Sequence, residues 1–297
     1  MRVGLVDVDS HNFPNLALMK ISAWHKARGD TVEWCFPLDN YDIVYQSKVF
    51  DSTYSPDIDW IPNADKVIKG GTGYGLDNTL PYEIEHIYPD YSLYPDLTQD
   101  TAYGFLTRGC PRHCGFCIVG DKEGLRSRKV ADLSEFWRGQ KNITLLDPNI
   151  LACKDRINLL DQLIESKAKV NFSQGLDIRL TNEEIADKLS SIRIGIIHFA
   201  WDNPKQDLTP YFKRFTEAYR RKSSKSKMVY VLVNYNSTME ENLYRVYTLR
   251  DLGYDPFVMI YDKPNAPRDI KRLARWVNNK FVFYKCNTFE EYTIGGD

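Results

Sequence analysis

Six strand-like segments, each followed by a helix-like one, occupy residues 102–278. In order, the strands read AYGFLTRG, NITLLD, KVNFSQ, IRIGIIHFAW, MVYVLVNY and DPFVMIY. The predicted helices between and after them span 132–140, 155–168, 182–190, 208–222, 238–252 and 267–278. Six β-then-α units in about 180 residues read as an α/β fold. An open (β/α)6 barrel fits better than a doubly wound sheet, because no unit reads as a switch point. In barrels of this kind the chemistry gathers at the C-terminal ends of the strands.

A smaller pattern precedes it. RVGLVDV, TVEWCF, YDIVYQS and ADKVIKGG read as strands. LALMKISAWHKARG, which Pro14 precedes and Gly29 ends, reads as a helix. The expected fold class is therefore α/β, with a Rossmann-like parallel-sheet domain over 1–75 and a partial (β/α)6 barrel over 101–297. Residues 76–100 are rich in Pro, Tyr and Asp with little periodicity, and they predict an extended linker whose tyrosines pack on both domains.

The 297 residues are 43% hydrophobic and 27% charged, which supports a folded core and excludes a disordered chain. The longest apolar stretch, near 194–201, is far below the ~18 residues of a membrane helix. MRVGLVDVDS has no signal-peptide pattern, so a cytoplasmic protein without a membrane partner is expected. The net charge of −1 argues against a uniformly basic nucleic-acid coat. Charge is nonetheless uneven: residues 30–100 are strongly acidic and 211–227 strongly basic. A solvated helix end explains the basic stretch; a patch for a phosphate-bearing substrate such as RNA is the other reading.

Three of the six cysteines fall in TRGCPRHCGFCIVG, directly after the first barrel strand. Cys110, Cys114 and Cys117 follow C-x3-C-x2-C, and three thiolates on one short loop can converge on one soft metal centre. Structural zinc wants four tetrahedral ligands, usually in two separated pairs. His113 is adjacent to Cys114, and no second Cys or His pair lies downstream at ribbon spacing. An iron–sulfur cubane on three thiolates leaves one iron open for a chelating substrate. Cys35, Cys153 and Cys286 stand apart and read as core thiols.

The cysteine segment resembles the signature loop of the radical S-adenosylmethionine (SAM) superfamily. The resemblance covers about residues 102–280. It implies a 4Fe–4S cluster on Cys110, Cys114 and Cys117, with the open iron chelated by SAM. It further implies reductive cleavage of SAM to methionine and a 5′-deoxyadenosyl radical, and an electron donor such as flavodoxin or ferredoxin. Phe116, just before the last cysteine, takes the place of the aromatic residue near the adenine. The substrate is not legible in the sequence.

Other strand ends supply candidate SAM contacts. Asp147 and Asn149 can accept hydrogen bonds from the SAM ammonium, although the superfamily's usual Gly-Gly-Glu is absent, or they can simply cap a turn. Gln174 and Arg179 follow the third strand; Arg179 can clamp the methionine carboxylate or form a structural pair with Asp177. Asp202 can hold ribose hydroxyls or cap the next helix. Asn234 and Tyr235 end the fifth strand, and Asp262 follows the sixth. His198, inside an apolar strand, reads as a core histidine.

The N-terminal unit resembles a shortened cobalamin-binding domain of the kind many radical SAM enzymes carry. Asp9, Ser10 and His11 look like the start of D-x-H-x-x-G, with Pro14 in place of the glycine. Gly70, Gly71 and Gly73 resemble the loop that accommodates the corrinoid's nucleotide tail. Degenerate scaffold or substrate-recognition domain is the preferred expectation, and corrinoid-dependent methyl transfer is the alternative. The tRNA methylthiotransferases also resemble this layout, but they carry three N-terminal cysteines where this chain has only Cys35. From a different class, a zinc- or cluster-stabilised nucleic-acid-binding protein remains as the second alternative.

Overall fold

The computed structural model describes residues 1–10, 12–220 and 226–293, in two compact units, Met1–Thr144 and Leu145–Asp297. The fold is mixed α/β. The first unit begins with β1 (Arg2–Asp7), α1 (Leu16–Ala27), β2 (Thr31–Trp34), β3 (Tyr41–Ser47) and β4 (Ala64–Gly70). These strands form a parallel sheet in the order β2-β1-β3-β4. The β-branched alternation of β1 places Val3 and Leu5 against Leu18, Met19 and Ile21 of α1. Each such buried side chain contributes about 1.5–3 kcal/mol. Asn15 starts α1 by accepting the Leu18 amide at 3.2 Å.

Residues 76–100 are not extended. They form α2 (Tyr82–Glu85), a 3-10 turn at Tyr91–Leu93 and α3 (Pro95–Thr98). The reasons are local: Asp90 caps the turn by accepting from Ser92, and Pro95 is preset for a first helical position. Ile84 and Leu93 join the α1–β1 core. Two tyrosine hydroxyls find partners there, Tyr94 donating to Asp7 at 2.5 Å and Tyr91 to the Phe136 carbonyl at 2.6 Å.

The predicted strand AYGFLTRG divides into β5 (Thr101–Gly104) and β6 (Thr107–Arg108). After it come α4 (Val119–Glu123), β7 (Arg128–Lys129) and β8 (Asn142–Leu145). Residues 132–140 make only a 3-10 turn, Leu133–Glu135, closed by an Asp132/Glu135 capping box. Tertiary packing overrides helix propensity here: Phe136 is buried with its ring over Gly104, where any Cβ would collide with it, and Gly139 turns away at positive φ. Compactness divides the chain at a different place from the composition change near residue 100, since the first unit takes in β5 to β7.

The second unit alternates as the sequence predicts. It holds α5 (Arg156–Ser166), β9 (Lys169–Phe172), α6 (Glu183–Ser191), β10 (Arg193–Ile194), β11 (Ile197–Ala200) and α7 (Thr209–Ala218). Then follow β12 (Lys227–Val233), α8 (Met239–Asp251), β13 (Asp255–Ile260), α9 (Arg268–Asn278) and a short α10 (Lys280–Lys285) that the sequence did not predict. Strand pairs β9–β10, β11–β12 and β12–β13 are all parallel. IRIGIIHFAW is not one strand: it breaks at Gly195, and β10 pairs with β9 while β11 pairs with β12. Val229, Val231 and Phe199 are buried, Phe199 packing on Phe215 at 4.9 Å. The alternate residues His198 and Tyr230 stack in parallel, 5.5 Å apart, and Tyr230 meets Phe257 edge-on.

Candidate functional site

The cysteine loop is built in the first unit. Antiparallel pairing of Thr107 with Lys129 and Arg108 with Arg128 closes its base. Gly109 leaves β6 at φ +85°, where a Cβ would collide with the Arg126 carbonyl, so only glycine fits. The Cys110 amide then donates to the Gly124 carbonyl at 3.1 Å. His113 adopts a left-handed conformation (φ +45°), and the Cys117 amide donates to the Cys114 carbonyl at 3.0 Å. Helix α4 follows, and Gly124 stops it at φ +90°.

Charged groups brace this loop. Glu123 accepts from Arg108 Nη1 at 2.7 Å and from the Gly109 amide at 3.1 Å. Arg108 Nη2 also donates to Glu85, 3.2 Å away, and Lys20 donates to the same Glu85 oxygen at 2.9 Å. Burial pushes the Glu85 carboxyl up, but Lys20 and Arg108 outweigh it and hold it below the usual carboxylate range. Burial pulls the Lys20 ammonium down against the opposing pull of Glu85.

Cys114 and Cys117 are exposed and Cys110 is half-buried. The loop gathers the three cysteines and Phe116, but among the described residues no three His, Cys, Asp or Glu side chains converge as a metal-holding group. The donor set itself is three soft sulfurs on one short segment, which suits an iron–sulfur cluster. His113 lies against Gly120 of α4.

The remaining candidates lie in the second unit. Asp147 and Asn149 are buried just past β8, and the Asn149 side chain does not cap the Ile150–Ala152 turn. Gln174 is exposed in the turn after β9. Arg179 is engaged by Asp177 through Nε at 2.7 Å and Nη2 at 3.2 Å, and by Gln206 through Nη1 at 2.8 Å. This is the bidentate geometry of a carboxylate clamp, with Asp177 as the carboxylate. Asp202, at the end of β11, is pushed up to about 6 by burial, against the pull of Arg245, the Leu232 amide and Arg179.

Arg245 was not foreseen. It is fully buried on α8 and donates to the carbonyls of Trp201 (2.6 Å), Asp202 (3.2 Å) and Leu232 (2.9 Å) and to Asn242 Oδ1 (2.6 Å). It thereby ties the ends of β11 and β12 together. An arginine in a polar helix carries no sequence signal for burial. His198 is half-buried; burial pulls its pKa down, and its Nδ1 has no hydrogen-bond partner. Asn234 and Asp262 take left-handed conformations past β12 and β13, and Asn234 donates to the Tyr261 carbonyl at 2.9 Å. Tyr235 packs edge-on against Tyr261.

In the N-terminal sheet the strand order reverses between β1 and β3, the usual crevice for a ligand. Groups of the chain itself are engaged at that point. Asp9 accepts the Val49 and Phe50 amides at 2.9 and 2.8 Å. A Cβ at Gly71 would collide with the Lys48 carbonyl and one at Gly73 with the Phe50 carbonyl. The glycines thus answer to a close approach of backbone to backbone. His11 of the D-x-H segment lies outside the described residues. So do 221–225 of the basic stretch, which otherwise shows exposed Lys213, Arg214 and Arg220 but a buried Lys227. No helix of the described residues is long and apolar enough to cross a membrane.

No protein-family model matches the chain, and no curated protein matches it in sequence. Among solved structures it is similar to TsrM, a radical S-adenosylmethionine methyltransferase from Kitasatospora setae, with cobalamin and a [4Fe-4S] cluster bound (TM-score 0.63, 12% identity, 87% of this chain and 74% of that chain). It is equally similar to the same enzyme with its tryptophan substrate and the SAM analog aza-SAM bound (TM-score 0.63, 12% identity, 87% and 72% of the two chains). At this identity the likeness is one of fold: over most of its length, the chain folds like a radical SAM methyltransferase.

Proposed function

We propose that the chain is a radical SAM enzyme holding a 4Fe–4S cluster on Cys110, Cys114 and Cys117. The observation that carries this is the C-x3-C-x2-C segment on a closed, braced loop after β6 of a chain sharing the fold of a radical SAM methyltransferase. Cys110, Cys114 and Cys117 would hold the cluster, and the chemistry it would supply there is one-electron reduction of SAM. The chain's own part is to present three thiolates from a loop of fixed shape and leave its outer face open, as the exposure of Cys114 and Cys117 supports. Phe116 is the proposed adenine neighbour, and Asp147, Asn149, Gln174 and Asp202 the proposed polar SAM contacts. Arg179 contributes through its pair with Asp177. An external one-electron donor of the flavodoxin or ferredoxin type completes the proposal, and the partial-barrel reading of residues 101–297 belongs to it. Anaerobic purification with iron and sulfide analysis tests it. About four irons per chain are expected, with most of them lost in Cys114→Ala; stoichiometric zinc in their place contradicts it.

Corrinoid-dependent methyl transfer is the second reading, favoured by the cobalamin in the structural neighbour. The engaged state of Asp9 and of the Gly71–Gly73 backbone speaks against a corrinoid at the β1/β3 switch point. Gel filtration after incubation with hydroxocobalamin separates the two: corrinoid absorbance travelling with the protein favours methyl transfer, and its absence favours the simpler enzyme.

A further inference from the structure

A carboxylate is poorly placed in the last turn of a helix, where the backbone carbonyls already present partial negative charge. Glu123 is the last residue of α4, yet its side chain is only 11% exposed and both of its oxygens are in use. One takes the guanidinium of Arg108, whose planar group also lies over the Phe105 ring at 3.9 Å. The other takes the amide of Gly109, the residue before Cys110. The next amide, that of Cys110, goes to the carbonyl of Gly124. Two successive amides at the start of the cysteine segment are thus anchored on the end of α4. The same helix begins at Val119, two residues past Cys117. Arg128 of β7 closes the arrangement by donating to the Glu123 carbonyl at 2.6 Å. The start of the 110–117 segment is thus hydrogen-bonded to the end of α4 while its other end runs into the start of that helix, and Glu123 is the side chain that makes the first of these links.

We propose that Glu123 is the positioning residue of the cysteine loop: gripped by Arg108, its carboxylate fixes Gly109 and Cys110 against α4 and so sets the spacing of Cys110 from Cys117 for cluster binding. The proposal rests on the cluster reading above. Arg108 is held in turn by Glu85, which Lys20 neutralises, so the grip is backed by a half-buried chain of alternating charge. Such a chain is worth more than exposed surface pairs, because the surrounding dielectric is lower and side-chain freedom is already reduced. Glu123 also adds a negative charge beside the cluster ligands, and negative charge disfavours reduction.

Full-length Glu123→Gln and Glu123→Ala chains test this, with folding checked by circular dichroism. Amide hydrogen exchange on the cluster-free proteins reads the clamp directly. The segment carrying the Gly109 and Cys110 amides should exchange about tenfold faster or more in Glu123→Ala, as expected for loss of a charge-assisted hydrogen bond. Glu123→Gln keeps one acceptor oxygen where the carboxylate used two, so its exchange should fall between wild type and Glu123→Ala. After reconstitution, Glu123→Ala should lose iron and show an altered electron paramagnetic resonance line shape. Glu123→Gln should keep its iron but take up the electron at a more positive potential. Wild-type exchange rates in Glu123→Ala overturn the proposal, and so does a Glu123→Ala chain with unchanged iron and line shape. If wild type itself takes up no iron, the cluster reading fails while the exchange rates still judge the clamp.

Discussion

Asp202 carries the largest electrostatic tension among the candidate site residues. Its carboxyl titrates near 3.8 in a solvated chain and near 6 in the fold, because burial penalises the charged form. The folded state therefore holds a proton that the unfolded state has released over this interval. Folding stability falls as pH rises through about 4 to 6 and stays lower above it. Asp202→Asn removes the penalty. The variant should match wild type near pH 4 and exceed it at neutral pH by about 3 kcal/mol, one pKa unit being worth about 1.4 kcal/mol. Urea titrations at the two pH values measure this, and a variant less stable than wild type at neutral pH contradicts it. The shift already includes the pull of Arg245, whose own charge is satisfied by carbonyls and by Asn242. At this scale the Asp177–Arg179 pair was legible in the sequence as one of two readings of Arg179, but the burial of Arg245 and the engagement of Glu123 were not. Charged residues in helices read as solvent-facing, and only the tertiary fold reveals a carbonyl cage or an amide within reach.

The cysteine loop depends at the element scale on backbone geometry as much as on sulfur. Gly109 sits at φ +85° with no room for a Cβ beside Arg126. Gly109→Ala adds about 1–3 kcal/mol of backbone strain to that collision. The β6–β7 pairing should open, and iron uptake should fall even though all three cysteines remain. Iron analysis on the purified variant checks this, and wild-type iron content would show that the loop tolerates the change. The regular elements were legible: β1, α1 and the alternation from α5 to α9 follow periodicity and caps such as Asn182 and Thr238. What was not legible depended on partners distant in sequence. Residues 132–140 carry a helical pattern, but Phe136 is pulled over Gly104 and the helix reduces to one turn. IRIGIIHFAW reads as one strand because its apolar run is continuous, yet its two halves pair with different neighbours.

The whole molecule joins a parallel α/β sheet unit to an alternating α/β unit, in a fold shared with a cobalamin-bearing radical SAM methyltransferase. The two anchors of the functional proposal are independent. The cysteine spacing comes from sequence alone, and the fold likeness persists at 12% identity. They diverge at the N-terminal sheet. There Asp9 accepts the chain's own Val49 and Phe50 amides and Gly71 and Gly73 lie against the 48–50 backbone, and the fold likeness does not by itself carry over the neighbour's cobalamin. The central claim is that the three cysteines hold a cluster that cleaves SAM. The direct measurement is 5′-deoxyadenosine formed from SAM by anaerobically reconstituted protein under a strong one-electron reductant. The account predicts 5′-deoxyadenosine from wild type and none above background from Cys114→Ala. A Cys114→Ala chain that keeps its iron and releases 5′-deoxyadenosine at the wild-type rate would contradict it.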